Sequence, residues 1–186
     1  MRPTSRRFST NLLQKLENLL KECASLRSRS PLRIAVLGVG NELRGDDAAG
    51  LHVVRLLQPL VADLPGILVL DGGPAPENFT GVLRRFSPDL VLLVDAAEME
   101  ALPGVLRFLP WQETVGLGSS THSLPPYMLA SYLVHELGCQ VALIGIQTRD
   151  NTFGAPISPV ISRAVDRTVQ TLAVFLTASN WLARIV

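Results

Sequence analysis

The chain is poor in cysteine, with two in 186 residues, Cys23 and Cys139. Two are too few for a disulfide framework, and their separation rules out the Cys-x-x-Cys spacing of a zinc or redox site. The shortage fits, weakly, a reducing, cytoplasmic compartment. An excess of either charge is also missing: 17 Lys and Arg stand against 16 Asp and Glu, a net of +1. Such a balance offers no electrostatic footprint for nucleic acid or an acidic surface. No run approaches the roughly 20 apolar residues a membrane span needs, so neither nucleic acid nor membrane is an expected partner. The first 30 residues lack the continuous apolar core and small-residue cleavage site of a secretory signal. They are rich in Arg and Ser, which leaves a transit-peptide reading open beside the cytoplasmic one. What is present is a chain 47% apolar and 18% charged, long enough for one well-buried domain and short for two.

Residues 1–30 read as an N-terminal extension, followed by a single α/β domain over 31–186. In the extension Leu12, Leu13, Leu16, Leu19, Leu20, Cys23 and Leu26 recur at three- and four-residue steps. That spacing makes one apolar stripe on a helix, which Ser9 or Thr10 would cap. The stripe suits an extra helix packed on the domain or on a second copy, and less well a partner-docking helix. From Leu32 onward short apolar runs alternate with amphipathic stretches, the mark of βαβ units. Strands are expected over Arg33–Leu37, Ile67–Leu70, Leu90–Val94, Val105–Leu109 and Val141–Ile146. Helices are expected over Asp47–Leu60, Glu77–Phe86, Pro126–Leu137 and Pro159–Ala178. Pro103-Gly104 leaves a connection too short for a helix, so the third and fourth strands are expected to form a hairpin with one of them antiparallel. The fold class is therefore a three-layer α/β sandwich, with a twisted, mostly parallel five-stranded sheet and helices on both faces. No internal repeat or low-complexity segment appears.

The chemistry concentrates where strands end, which is where open α/β sheets build their sites. The first strand runs into Gly40-Asn41-Glu42-Leu43-Arg44-Gly45-Asp46-Asp47. A glycine-rich turn at this place usually cradles phosphate, but Asp46 and Asp47 would repel it and favour a cation or a proton. Two nucleotide fingerprints fail. The third glycine of a Gly-x-Gly-x-x-Gly beginning at Gly38 would fall on Leu43, and Asp46 and Asp47 replace the Lys and Ser/Thr of a P-loop. The second strand ends in Asp71-Gly72-Gly73 and the third in Asp95. A loop over Gly116–Pro126 carries Thr121-His122-Ser123 toward the same edge. Carboxylates with one imidazole suit Zn²⁺, Ni²⁺ or Co²⁺, and no fourth ligand is evident. Each Asp also has a plain reading as the N-cap of a following helix, which Asp46 fits well and Asp95 poorly. His52 and His135 lie inside helices and are weaker candidates. Cys139 has no histidine at useful spacing, and Ser119, Ser120 and Ser123 lack a nucleophile elbow.

These stretches resemble the nickel–iron hydrogenase maturation endopeptidases. Gly38-Val39-Gly40-Asn41 through Gly45-Asp46-Asp47 to Gly50 matches their signature; Asp71-Gly72-Gly73, Val94-Asp95-Ala96 and Thr121-His122 with Pro125 match their other motifs in order. Asp71 through Asn78 and Gly145-Ile146-Gln147 are similar to the hydrogenase 3, or formate-hydrogenlyase, subgroup. The resemblance implies a twisted five-stranded α/β fold and an aspartic-type endopeptidase. Such an enzyme removes a C-terminal extension from the hydrogenase large-subunit precursor, and only after nickel insertion. It implies that Asp47, Asp95 and His122 are the catalytic and metal-contacting residues. The nickel would be supplied by the substrate, and the isolated site would be able to take Ni, Zn or Cd. Asp46, Asp71, Gly72 and Gly73 are expected on the substrate side, and the protein is expected to act as a monomer. The competing class is a non-enzymatic nickel-binding maturation chaperone using the same three ligands. Two departures stand out: Ala48, where many members have Gly, and the first 30 residues, which lack a counterpart in compact members.

Overall fold

The run Ile34-Ala35-Val36-Leu37 has no polar side chain on either side of its pleat, so a strand made from it must be covered on both faces. It forms β1 (Ile34–Gly38), buried along its whole length. A computed structural model describes residues 5–26, 32–115 and 125–182 of the chain. Beside β1 lie β2 (Ile67–Asp71), β3 (Leu90–Ala97), β4 (Leu106–Pro110) and β5 (Gln140–Gln147), in the order β2-β1-β3-β5-β4. β1 pairs in parallel with β2 and β3, β3 in parallel with β5, and β4 is antiparallel to β5. The five strands and the single antiparallel member agree with the sequence reading.

The period-2 alternation of strand side chains divides the core in two. Ile34, Val36, Leu92, Val94 and Ile144 face α2 (Ala49–Val61) and α5 (Pro159–Leu182), meeting Val53, Leu57, Ile161 and Phe175. Ala35, Leu37, Val91, Leu93 and Leu143 face α3 (Thr80–Phe86) and α4 (Pro126–Leu137), meeting Leu83, Leu129 and Leu133. Helices on both faces complete three layers. The expected stripe forms α1 (Ser5–Leu26), which starts before the expected Ser9 or Thr10 cap. It packs on α5 and β4, and its Leu12, Leu16 and Cys23 join the α2/α5 core. Burial pushes the Cys23 thiol up to about 12, so it offers no thiolate, and Cys139 is buried too. Among the described residues no helix is long and apolar enough to cross a membrane.

Two expectations are corrected. The Pro103-Gly104 turn leads β4 to β5 and not back to β3, so no β3–β4 hairpin forms. β3 already has a neighbour on each edge, and the outer edge of β5 is what remains for β4. Gln147 organises this crossing. Its Oε1 accepts from the N–H groups of Met99 at 2.7 Å and Ala101 at 3.3 Å, while its carbonyl accepts from Gly104 N–H at 2.8 Å. Asp95 lies inside β3 and not after it, because the β3–β5 ladder continues to Ala97 opposite Gln147.

The packing of α1 yields a stability prediction. Leu16 is fully buried whereas Leu26 is 67% exposed. Urea denaturation should show Leu16→Ala losing about 2–5 kcal/mol and Leu26→Ala staying within about 0.5 kcal/mol of the parent. A negligible loss for Leu16→Ala would mean that α1 lies outside the cooperative unit.

Candidate active site

β1 and β3 stop opening their edge to each other where β1 ends: Gly38 pairs with Val94, and Val39 N–H donates to Val94 O at 2.8 Å. One residue further along β3, Asp95 pairs with β5 and no longer has β1 alongside. The chain after β1 turns sharply into a 3₁₀ turn, Gly45–Ala48, and then α2. Two glycines permit this. Gly40 has φ +144, and a Cβ there would lie 1.9 Å from Asp47 O; only glycine tolerates both conditions. A Cβ on Gly50 would lie 2.2 Å from Val94 O and 2.3 Å from Val39 O, so glycine lets the start of α2 press onto both strands. Asp47 is thereby delivered beside Asp95.

Both carboxylates are taken out of water, with Asp47 6% and Asp95 8% exposed. Asp47 Oδ2 is buried without a hydrogen-bond partner among the described residues. Burial raises the pKa of Asp47, against the opposing pull of the Asn41 backbone amide and the Arg44 charge. Asp95 is raised from the ordinary 3.8 to about 7, first by burial and then by the negative charge of Asp47, with the Ala96 amide acting in the opposite sense. Asp95 thus feels the charge of Asp47, and ionising both at once is costly. An orphaned carboxylate oxygen next to a second carboxylate near neutrality is a donor set that fits a divalent cation, with a proton as the stand-in. Among the described residues no cluster of three or more His, Cys, Asp or Glu gathers. His122 lies outside the described residues, as do Ser119, Ser120 and Ser123.

Asp46 has a different fate from its neighbour. It is fully buried, and its oxygens accept four hydrogen bonds: from the N–H groups of Arg149 (2.9 Å), Asp150 (2.8 Å) and Ser158 (2.6 Å), and from Ser158 Oγ (3.0 Å). It is neither an N-cap of the helix that follows nor free to meet a substrate, since its lone pairs are committed to the loop before α5. Asp71 is also engaged: Arg55 Nε donates to Oδ2 at 2.6 Å, Gly73 N–H to Oδ1 at 3.2 Å, and Arg55 reaches Glu42 as well. Gly72 N–H donates to Gly38 O, and Gly40 N–H to Gly73 O, so the β2 tip is stitched to the β1 tip. The reading of the sequence assigned no role to Gln147, whose Nε2 donates to Glu98 Oε2 at 2.9 Å, nor to Thr148, whose hydroxyl donates to Glu98 Oε1. Gly145-Ile146-Gln147 was a signal for them, but only the crossing of residues 98–105 over β5 gives it meaning.

Comparison with known proteins identifies the family and the fold. Residues 51–174 match the HycI family, hydrogenase maturation protease. The chain belongs to the hydrogenase maturation protease family. It is 34% identical over 140 residues to the hydrogenase 3 maturation protease of Escherichia coli, covering 74% of this chain and 86% of that one. A putative hydrogenase maturation protease of Methanocaldococcus jannaschii is 28% identical over 159 residues, covering 82% and 94%. The crystal structure of the [NiFe] hydrogenase maturation protease HycI from Thermococcus kodakarensis superposes with a TM-score of 0.73 at 35% identity, over 78% of this chain and 93% of that one. As a HycI-like protease, the protein carries the family's sheet with its one antiparallel strand, and its carboxylate pair sits where β1 and β3 part.

Two measurements follow. Asp46→Ala strands three backbone N–H groups and should lower unfolding free energy by about 3 kcal/mol or more; a loss below about 1 kcal/mol would show that the loop holds without its pin. For Asp95 the folded-state pKa lies above the unfolded one. The folded state therefore binds the extra proton, and stability falls as pH rises from about 4 through about 7. In metal-free buffer, the Tm of Asp95→Asn relative to the parent should climb by several degrees from about pH 4.5 to about pH 8. A pH-independent difference would contradict the shift.

Proposed function

We propose that this protein hydrolyses a peptide bond near the C-terminus of a nickel–iron hydrogenase large-subunit precursor, in the cytoplasm, once that precursor carries nickel. The observation behind this reading is the pair Asp47 and Asp95: buried, coupled, one with an unpartnered oxygen and the other holding a proton near neutral pH. Two buried carboxylates so close cannot both stay charged at low cost. A precursor without metal leaves that penalty in place. A precursor presenting a divalent nickel offsets it, with His122 as the expected third ligand, and docking releases the Asp95 proton. Metal recognition in this form is a differential affinity for loaded over unloaded substrate.

Hydrolysis adds water across the peptide bond: the water oxygen bonds to the carbonyl carbon, the C–N bond breaks, and the amine leaves with a proton. Among the described residues neither cysteine is free to act as nucleophile, and Ser158 is bonded to Asp46. A water held against the carboxylate pair is therefore the attacking group, and Asp47 and Asp95 orient it and handle its proton. Asp46 holds the turn that carries Asp47, and the Asp71-Gly72-Gly73 tip, stitched to the end of β1, stands on the substrate side.

The deciding experiment incubates the purified protein with nickel-loaded and nickel-free precursor and reads chain length by mass spectrometry. Loaded precursor should shorten and nickel-free precursor should not. Asp47→Ala and Asp95→Ala should each cut the rate by on the order of a hundredfold or more, with an unchanged far-UV CD spectrum. Precursor that binds yet is never shortened would replace the peptidase by a nickel-handling chaperone.

A further inference from the structure

The turn that carries Asp47 also carries Leu43, which is 56% exposed, and the loop pinned beneath it carries Phe153, 69% exposed. A lone exposed apolar residue is ordinary. These two are set together by structure. Gly154 N–H donates to Leu43 O at 2.7 Å, Asp46 N–H donates to Asp150 O at 2.9 Å, and the Asp46 carboxylate holds the loop from below. A Cβ on Gly45 would stand 2.5 Å from Asp150 O, so the two turns are pressed backbone to backbone. Each tip is also braced internally, Leu43 N–H donating to Asn41 Oδ1 and Thr152 N–H to Asp150 Oδ1. The same turns leave one donor and one acceptor, Arg44 Nε and Asn151 Oδ1, buried without a hydrogen-bond partner among the described residues.

We infer that Leu43 and Phe153 form a docking knob for an apolar stretch of the precursor polypeptide flanking the bond to be cut. This rests on the peptidase reading and adds the element that sets register and affinity. Asp47 lies four residues beyond Leu43 on the same turn, so a peptide seated on the knob is held at a fixed distance from the cleavage chemistry. A patch ordered in advance loses little entropy on binding, and bulky apolar side chains supply most of the affinity of such contacts. Leu43 and Asp47 share one short turn, and this proximity to the site is why the occupant is the substrate and not a second copy of the chain.

Full-length protein and nickel-loaded precursor test it. Leu43→Ser and Phe153→Ser should each raise KM by on the order of tenfold, and the double variant by on the order of a hundredfold, with the change carried by KM more than by kcat and Tm nearly unmoved. Leu60→Ser, equally exposed at the far end of α2, should leave KM unchanged. An unaltered KM in the double variant overturns the knob, as does a shift in sedimentation showing that the patch joins two copies. If the parent protein leaves loaded precursor whole, the peptidase reading fails. The knob is then judged by precursor affinity: binding at least tenfold weaker in the double variant sustains it, and equal binding, or none by the parent, overturns it.

Discussion

Most of the site depends on one buried carboxylate that does no chemistry. Asp46 takes hydrogen bonds from three backbone amides and a hydroxyl of the loop leading into α5, and so ties the β1–α2 turn to a segment more than a hundred residues later. A carboxylate that accepts several hydrogen bonds is among the stronger polar contacts a fold can make. The turn it anchors depends on positive φ at Gly40 and Gly45, and the bonds to this distant loop add to the local ones within the turn. With the anchor in place, Asp47 has one direction to point, and Leu43 and Phe153 are displayed on a firm base.

Against that fixed base, the neighbouring pair is left deliberately uncomfortable. Asp47 and Asp95 lose water on folding and gain too few donors in return, and the charge of Asp47 adds to the resistance of Asp95 to ionisation. A fold optimised for stability alone would fill this place with apolar side chains. Keeping two carboxylates there makes sense when a positively charged group arrives from outside. Adjacent Asp residues in one turn thus have opposite electrostatic situations, one fully satisfied and one left wanting, and the difference follows from which side of the turn each faces.

The helix α1 belongs to the same cooperative structure, although it lies far from the strand tips. Its Leu12, Leu16 and Cys23 enter the core formed by α2, α5 and one face of the sheet, and it covers the side where the antiparallel β4 closes the sheet. Its apolar stripe could be read from residue spacing, whereas its partner could not. Much of the architecture was legible in that way. Continuous apolar runs gave the inner strands, and the glycine-rich turn after Leu37 and the tips at Asp71 and Asp95 marked the functional edge. The insertion of β5 between β3 and β4 was hidden, because it depends on which edge is free once β1 and β5 flank β3, and on Gln147 receiving the amides of Met99 and Ala101.

The residues alone determined the type and order of the elements, the edge on which acidic groups gather, and the failure of both nucleotide fingerprints. Those properties are local: side-chain period, glycine placement and turn chemistry are complete within a few neighbouring positions. Tertiary structure alone decided that Asp46 is a pin while Asp47 keeps an open oxygen, that Asp95 holds its proton to near neutrality, and that Leu43 meets the Phe153 loop. Each of these depends on how far water is excluded and on which distant backbone groups arrive, and neither is encoded in the spacing of residues along the chain.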